Sequence, residues 1–384
     1  MIVGFDVSQT GERKAGCGYF ADGLIRELVR VDPSTRYLLY PTFGDGVWDP
    51  KWPSSTVGLR QPNVRRASGQ RVFSELRRFW RSDGFDEKLG NPDVVHANNF
   101  FCPTRLSRAR LVYTLHDLGF LLHPEWTTEA NRVTCFTGIF NASVCADHIV
   151  CVSEFTRAHF LASFPHYPAE RTSVVYPGSR FAGLPGPPRP PGLAHLEPGC
   201  FWLTVGTLEP RKNHERLLRT YARLRAARPT TPPLVIAGGR GWLVPDVRRV
   251  VVESGLAQHV LLLGYASDAE LHWLYANCFA FVFPSLFEGF GLPVVEGMSQ
   301  GAPVVTSRTS SLPEVVGDAG VLVDPLDEDA LLAALLELAD DPEARARLGA
   351  QARERAQRFA WRAAAEAIRA TYARVAAQPR WATQ

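Results

Sequence analysis

The sequence predicts an α/β chain built from two Rossmann-like, doubly wound domains, and three observations carry that prediction. Short apolar runs such as Ile2–Val7 and Phe281–Phe283 alternate with amphipathic helical stretches, as buried parallel strands alternate with crossover helices. A chain of 384 residues exceeds what one core comfortably holds. The stretch Pro185-Gly-Pro-Pro-Arg-Pro-Pro191 suits neither a helix nor an inner strand, so it reads as the connection between two halves.

Composition narrows the class. A net charge of +3 gives no case for nucleic acid as the main partner. The seven cysteines are odd in number and form no Cys-x-x-Cys pair, which argues for free thiols rather than a disulfide frame or a zinc site. Met1–Val7 reads directly as a first strand, and no apolar run is long enough to span a bilayer. The expectation is a cytoplasmic protein.

Taken in order, Ile2–Val7 is strand one, followed by a glycine loop from Asp6 to Gly18 and a helix from about Tyr19 to Val31 with Phe20, Leu24 and Leu28 on one face. Gly16 and Gly18 lie where a loop could cradle phosphate. Tyr37–Tyr40 is the next strand, and Thr42–Arg66 reads as irregular. Val72–Phe85 reads as a basic amphipathic helix, with Val72, Leu76, Phe79 and Trp80 on one stripe and Arg71, Arg77, Arg78 and Arg81 around them. Such a helix either packs on the sheet or lies on an anionic membrane surface. Asp93–His96 and Leu111–His116 are buried strands that each end in histidine, and ligands of doubly wound sheets sit at carboxyl ends of strands. Asn131–Ala146 is a helix, Asp147–Ser153 a strand whose Ser153 caps the next helix, and Thr172–Tyr176 the last strand of the first half.

The second half opens with strand Phe201–Val205, the turn at Gly206, and Arg211-Lys212-Asn213 before a helix that Asn213 is expected to cap. Paired cations just ahead of a helix N-terminus suit a pyrophosphate. Leu234–Ala237 is followed by Gly238-Gly239-Arg-Gly241-Trp242, and Val260–Leu263 leads into Gly264-Tyr265. Asp327-Glu328-Asp329 matches an Asp-x-Asp metal pattern but opens a Leu/Ala-rich helix, where acidic residues stabilise the first turn, so no metal site is read there.

Between Phe281 and Pro313 strand, glycine loop, helix and strand form a βαβ unit. Its loop holds Glu288, Gly289 and Gly291, Pro293 suits a first helical turn, and Glu296 lies about one turn in. Seven residues separate Glu288 from Glu296. A carboxylate accepts two hydroxyl hydrogen bonds from a vicinal diol such as a ribose.

The segment Glu288-Gly-Phe-Gly-Leu-Pro-Val-Val-Glu296 resembles the paired-glutamate motif of retaining GT-B glycosyltransferases, specifically glycosyltransferase family 4. Gly16-Cys17-Gly18-Tyr19 is similar to that family's turn facing the donor phosphates, His116-Asp117 to its loop against the transferred sugar, and Gly206 through Lys212-Asn213 to its phosphate site. The resemblance implies two domains facing across a cleft: 1–178 on the acceptor side, a linker over 179–198, 199–358 for the nucleotide sugar, and 359–384 as a helix returning to the first domain. It implies catalytic roles for His116, Arg211, Lys212 and Glu288. It implies nucleotide-sugar binding by Gly16, Gly18, Gly206, Gly264, Tyr265, Phe290, Gly291, Leu292 and Glu296, with the base on the Gly264-Tyr265 turn and His123 and Glu125 toward the acceptor. The overall pattern looks closest to bacterial mannosyltransferases, so GDP-mannose is the expected donor, with a UDP- or dTDP-hexose as the alternative. A saccharide or lipid-linked saccharide is the expected acceptor, and no metal or cofactor is called for.

Three rivals are weighed. A nucleotide-sugar 2-epimerase shares the fold, but the His116 loop and the Arg211-Lys212 spacing favour a transferase. A dinucleotide-dependent oxidoreductase wants Gly-x-Gly-x-x-Gly after strand one, which Gly11, Gly16 and Gly18 do not supply. An inactive sugar-nucleotide-binding partner is disfavoured by the presence of Arg211, Lys212, Glu288 and Glu296.

Overall fold

The computed structural model describes residues 1–12, 14–44, 53–66, 73–80, 82–241, 243 and 247–381. Arg71, Val72, Arg81 and Trp242, named above, lie outside them. The chain forms two units: Met1–Leu122, Glu129–Gly178 and Trp361–Gln384 make the first, His123–Thr128 and Ser179–Ala360 the second.

In the first unit the strands are β1 (Ile2–Asp6), β2 (Arg36–Tyr40), β3 (Val64–Arg66), β4 (Val94–Ala97), β5 (Arg110–Leu115), β6 (His148–Cys151) and β7 (Thr172–Val174). They pair in parallel in the order β3-β2-β1-β4-β5-β6-β7. Inner strands such as β4 are buried throughout, which is why they read as largely apolar runs. The stretch read as irregular ends in β3, an edge strand whose Arg65 and Arg66 are exposed, so it lacks the apolar signature of an inner strand. Helix Gly16–Val31 begins three residues before Tyr19, so Gly16 and Gly18 stand in its first turn rather than in the loop. Gly18 must be small there: a Cβ would lie 2.0 Å from the Gln9 carbonyl oxygen.

The basic stretch around residue 80 is shorter than its sequence pattern. Helix Phe73–Trp80 stops, and a separate turn of helix spans Phe85–Lys88 after Gly84 in the left-handed region. Trp80 is buried against Phe43, Phe85 and Phe101, so this part of the apolar stripe packs on the core of its own unit. Ser153 caps the helix Glu154–Ser163 as expected, accepting from the Thr156 N–H. The helix Trp361–Ala377 closes the first unit by packing on Gly16–Val31, where Trp361 meets Phe20 edge-on at 5.9 Å. A Cβ at Gly23 would lie 2.4 Å from that indole.

In the second unit the strands are β8 (Trp202–Val205), β9 (Leu234–Ala237), β10 (Val260–Gly264), β11 (Ala280–Phe283), β12 (Val304–Ser307) and β13 (Val321–Val323). Their parallel order is β10-β9-β8-β11-β12-β13. The order reverses between β8 and β11, so the loops leaving their carboxyl ends diverge and open a crevice. Those two loops carry Arg211-Lys212 and Glu288. Among the described residues, all seven cysteines are free thiols and no helix is long and apolar enough to cross a membrane.

Candidate functional site

After β8 the chain turns at Gly206, forms the short turn Pro210–Lys212, passes through Asn213 in the left-handed region (φ 60°), and enters helix His214–Ala227. A Cβ on Gly206 would press to 3.3 Å against the Lys212 stem, so glycine gives the lysine its passage. Asn213 does not cap the helix with its side chain. Its amide instead donates to the carbonyls of Pro284 (3.0 Å) and Pro325 (2.8 Å), tying the loop after β11 and the turn after β13 to this one. The left-handed backbone turns the side chain away from the helix amides it was expected to reach.

After β11, Ser285, Leu286, Phe287 and Glu288 fold back over the cations. Glu288 is buried; its Oε1 accepts from Lys212 Nζ at 2.5 Å and Ser285 Oγ at 2.7 Å, and its Oε2 from Arg211 Nη1 at 2.9 Å. Arg211 also reaches Glu209 through Nη2 at 2.7 Å. The Glu288 amide donates to Ser310 Oγ, and its carbonyl accepts from Ser311 Oγ, so the loop after β12 fixes the main chain. Burial alone would raise the Glu288 pKa, but the Arg211 and Lys212 charges outweigh it and hold it near 2. Burial, then the Arg211 charge, lowers the Lys212 ammonium, while Glu288 and Glu209 oppose that shift. The result is a buried cluster of two cations and two carboxylates at the switch point.

Gly291 (φ 100°) ends the loop in a conformation that favours glycine, and helix Leu292–Gln300 starts directly after it with Pro293 in its first turn. Pro293 carries no N–H, and the amides of Val294 and Val295 donate to the Gly291 carbonyl, so the Leu292 amide is the one at the positive end of this nine-residue helix that no such bond takes up. Phe290 is buried against Phe359 at 5.5 Å, edge to face. Glu296, 2% exposed, holds a forked ion pair with Arg180. Gly264 takes φ 72°, and Tyr265 beside it is 46% exposed. Sequence reasoning missed Arg180, Glu209, Ser285, Ser310 and Ser311. Glu209 lies in the marked turn before Arg211, and Ser285, Ser310 and Ser311 lie in the marked Phe281–Pro313 unit, but Arg180 lies in the stretch read as linker.

In the first unit, the half-buried His116 directly follows β5, and its Nε2 stands 3.0 Å from the Asn98 carbonyl oxygen, which can only accept, so this nitrogen carries the proton. Burial lowers its pKa below the ordinary 6.5, so the ring is neutral near pH 7. His96 is not a crevice residue. It is wholly buried between Tyr372 (Nδ1 to Oη, 2.6 Å) and Thr114 (Nε2 to Oγ1, 2.8 Å), tying the last helix to the sheet. The segment His123–Thr128 counts with the second unit, where His123 stacks on Trp126 at 3.9 Å and meets Phe287 at 5.9 Å. Asp327 accepts the amides of Asp329 and Ala330 and so caps helix Glu328–Asp340, the role its place at a helix start gives it. Among the described residues no cluster of His, Cys, Asp or Glu could hold a metal ion.

Two parallel-sheet Rossmann-like domains, with paired cations and a buried glutamate at the switch point of the second, define a GT-B glycosyltransferase. The chain belongs to the group 1, family 4 glycosyltransferases and is a hexosyltransferase: it matches "Glycosyl transferases group 1" over residues 193–355 and "Glycosyltransferase Family 4" over residues 24–179. It is 38% identical over 308 residues to the O-antigen chain mannosyltransferase B of Escherichia coli, spanning 79% of this chain and 78% of that protein. A second relative, the MMP alpha-(1->4)-mannosyltransferase of Mycolicibacterium hassiacum, is 40% identical over 178 residues, 44% of this chain and 42% of that one. Among solved structures, Anabaena Alr3699/HepE in complex with UDP and glucose superimposes with a TM-score of 0.74 at 20% identity, over 97% of this chain and 100% of that one. Sucrose-phosphate synthase from Thermosynechococcus elongatus gives 0.73 at 21% identity, over 98% and 99%.

Proposed function

We propose that the chain is a retaining mannosyltransferase that moves mannose from GDP-mannose to a saccharide or lipid-linked saccharide in surface-polysaccharide synthesis. The observation that carries this reading is the Arg211–Lys212–Glu288 cluster at the β8/β11 switch point, joined to a helix N-terminus at Leu292. The choice of mannose and of a polysaccharide product rests on the two mannosyltransferase relatives, one of them an O-antigen chain enzyme.

The chemistry follows from charge. Breaking the bond between sugar and diphosphate leaves negative charge on the phosphate oxygen. Arg211 and Lys212, already held in place by Glu288 and Glu209, meet that charge without reorganising, and the amide of Leu292 at the helix start adds to it. Glu296 accepts the ribose hydroxyls, and the Gly264-Tyr265 turn seats the base. Gly206, Phe290 and Gly291 line the phosphates and sugar. For His116 we propose the donor-sugar contact that the family resemblance implies; a neutral ring with its proton fixed on Nε2 leaves Nδ1 as the acceptor for a sugar hydroxyl. These cations and the Leu292 amide supply the positive charge that a metal ion supplies in other transferases.

A thermal-shift screen of the purified chain against GDP-mannose and UDP-, dTDP- and ADP-sugars tests the donor, because a ligand bound only to the folded state adds RT ln(1 + [L]/Kd) to stability. GDP-mannose is expected to respond, and NMR of the transferred sugar should show its anomeric configuration unchanged. A response to a UDP- or dTDP-hexose alone would replace the donor, and an inverted product would end the retaining reading.

A further inference from the structure

The forked pair between Arg180 and Glu296 is the strongest feature that the reading above leaves unused. Arg180 Nε lies 2.6 Å from Glu296 Oε1 and its Nη2 3.0 Å from Oε2, while Nη1 reaches Asp268 Oδ1 at 2.5 Å. The guanidinium spans the helix that carries Glu296 and the start of helix Asp268–Asn277, just beyond the Gly264-Tyr265 turn. Its backbone is pinned as well. Ser179 Oγ bonds Ser299 Oγ and accepts the Phe181 amide, and Gln300 donates to the Phe181 carbonyl. Phe181 is buried and stacks on His272 with an interplanar angle of 2°. Arg180 is thus held in place from both helices and is not a solvated linker residue.

We propose that Arg180 is the positioning residue for ribose recognition: it fixes the plane and the charge of Glu296 so that the carboxylate can accept two hydroxyls. The inference rests on Glu296 being the ribose acceptor. Each carboxylate oxygen offers about two lone-pair sites, and the fork takes one from each. The Tyr275 hydroxyl also reaches Glu296, so it is the acceptor capacity left beyond the fork and this hydroxyl that would meet the ribose. Without the guanidinium, a carboxylate this buried is an uncompensated charge with nothing to set its plane. Arginine suits this role because a planar fork sets orientation, which a lysine point charge does not. The pair also offsets the Glu296 charge close to where a diphosphate would sit.

The test is calorimetric binding of GDP and UDP, each against its 2′,3′-dideoxy form, to the full chain. For the tighter nucleotide, wild type should lose about tenfold or more in affinity without the two hydroxyls, as expected for hydrogen bonds to a charged group. Arg180→Ala should shrink that ratio to about threefold or less, and Arg180→Lys should restore part of it. A general loss of structure would weaken both forms alike and leave the ratio intact, so the ratio separates positioning from stability. If Arg180→Ala keeps the wild-type ratio while Glu296→Ala abolishes it, the role of Arg180 is refuted and that of Glu296 stands. If Glu296→Ala also keeps the ratio, the ribose assignment itself is wrong and the role of Arg180 falls with it. Should Arg180→Ala fail to fold, Arg180→Lys decides: a wild-type ratio there overturns the need for a fork.

Discussion

Lys212 and Glu288, 76 residues apart, form a buried ion pair, Nζ to Oε1 at 2.5 Å. Both side chains are under 10% exposed, at 7% and 8%. This pair, with Glu209 and the partly exposed Arg211, sets each buried charge against an opposite one. A diphosphate held there as proposed would meet charges that are already placed.

Replacing Lys212 with Met should lower kcat by about 10²–10³-fold, the scale for losing one preorganised electrostatic contact, with a smaller change in KM. It should also destabilise the chain by about 3 kcal/mol, because Glu288 loses one counter-ion in a buried site. Adding Glu288→Gln to that variant should return much of the stability and none of the activity. Steady-state transfer assays and chemical denaturation read the two effects separately; a double variant with near wild-type kcat would remove the cluster from the mechanism.

Gly291→Ala tests the loop that launches helix Leu292–Gln300. The backbone there has φ 100°, and an added Cβ would sit 2.7 Å from a methyl of Leu312. Strain of this kind costs about 1–3 kcal/mol. Relief requires moving the Leu292 amide at the helix start, so nucleotide affinity should fall along with stability. Unchanged affinity in a destabilised variant would show that this amide does not contact the ligand.

The strands were legible in the sequence because parallel strands buried on both faces leave largely apolar runs, unbroken in Ala280–Phe283 and interrupted in Trp202–Val205 by Thr204 alone. Loops between such strands could be ranked by their glycines and cations, which located Arg211, Lys212 and Glu288. The pairing among them was not legible, since it depends on which strands adjoin, and β8 neighbours β11 although β9 and β10 lie between them in the chain. Arg180 was hidden for a related reason: it precedes a proline-rich run, and its partners Asp268 and Glu296 lie 88 and 116 residues away. His96 and His116 look alike in sequence, each closing a strand. What separates them is Tyr372, 276 residues beyond His96, which takes the first ring into the core.

Burial, then the charges of His116 and His148, pushes the His96 pKa from 6.5 down to about 3. The unfolded chain therefore binds a proton that the folded one refuses between those values. Stability from this group is full above pH 6.5 and is lost as pH falls toward 3. Between pH 7 and pH 5 the loss is about 2 kcal/mol. His96→Gln should flatten the stability curve by that amount over this interval, measured by urea denaturation at each pH. An unchanged slope would mean that His96 is protonated in the folded chain.

The acidic run at Asp327-Glu328-Asp329 offers a last test, because it sets a capping role against a metal role. Asp327 Oδ1 accepts two backbone amides at 2.9 Å each, Glu328 meets Arg219 at 2.9 Å, and Asp329 meets Arg223 at 2.6 Å. Every carboxylate already has a cationic or amide partner, and two of those partners are arginines that would repel a divalent ion. Asp327→Ala should cost about 1 kcal/mol, the usual value of an N-cap, while leaving transfer activity within about twofold of wild type. Asp327→Ser, which can still cap, should recover most of that stability. Chelation with EDTA should not change the rate of either protein. A rate that collapses with EDTA and with Asp327→Ser alike would instead assign this run to a metal ion.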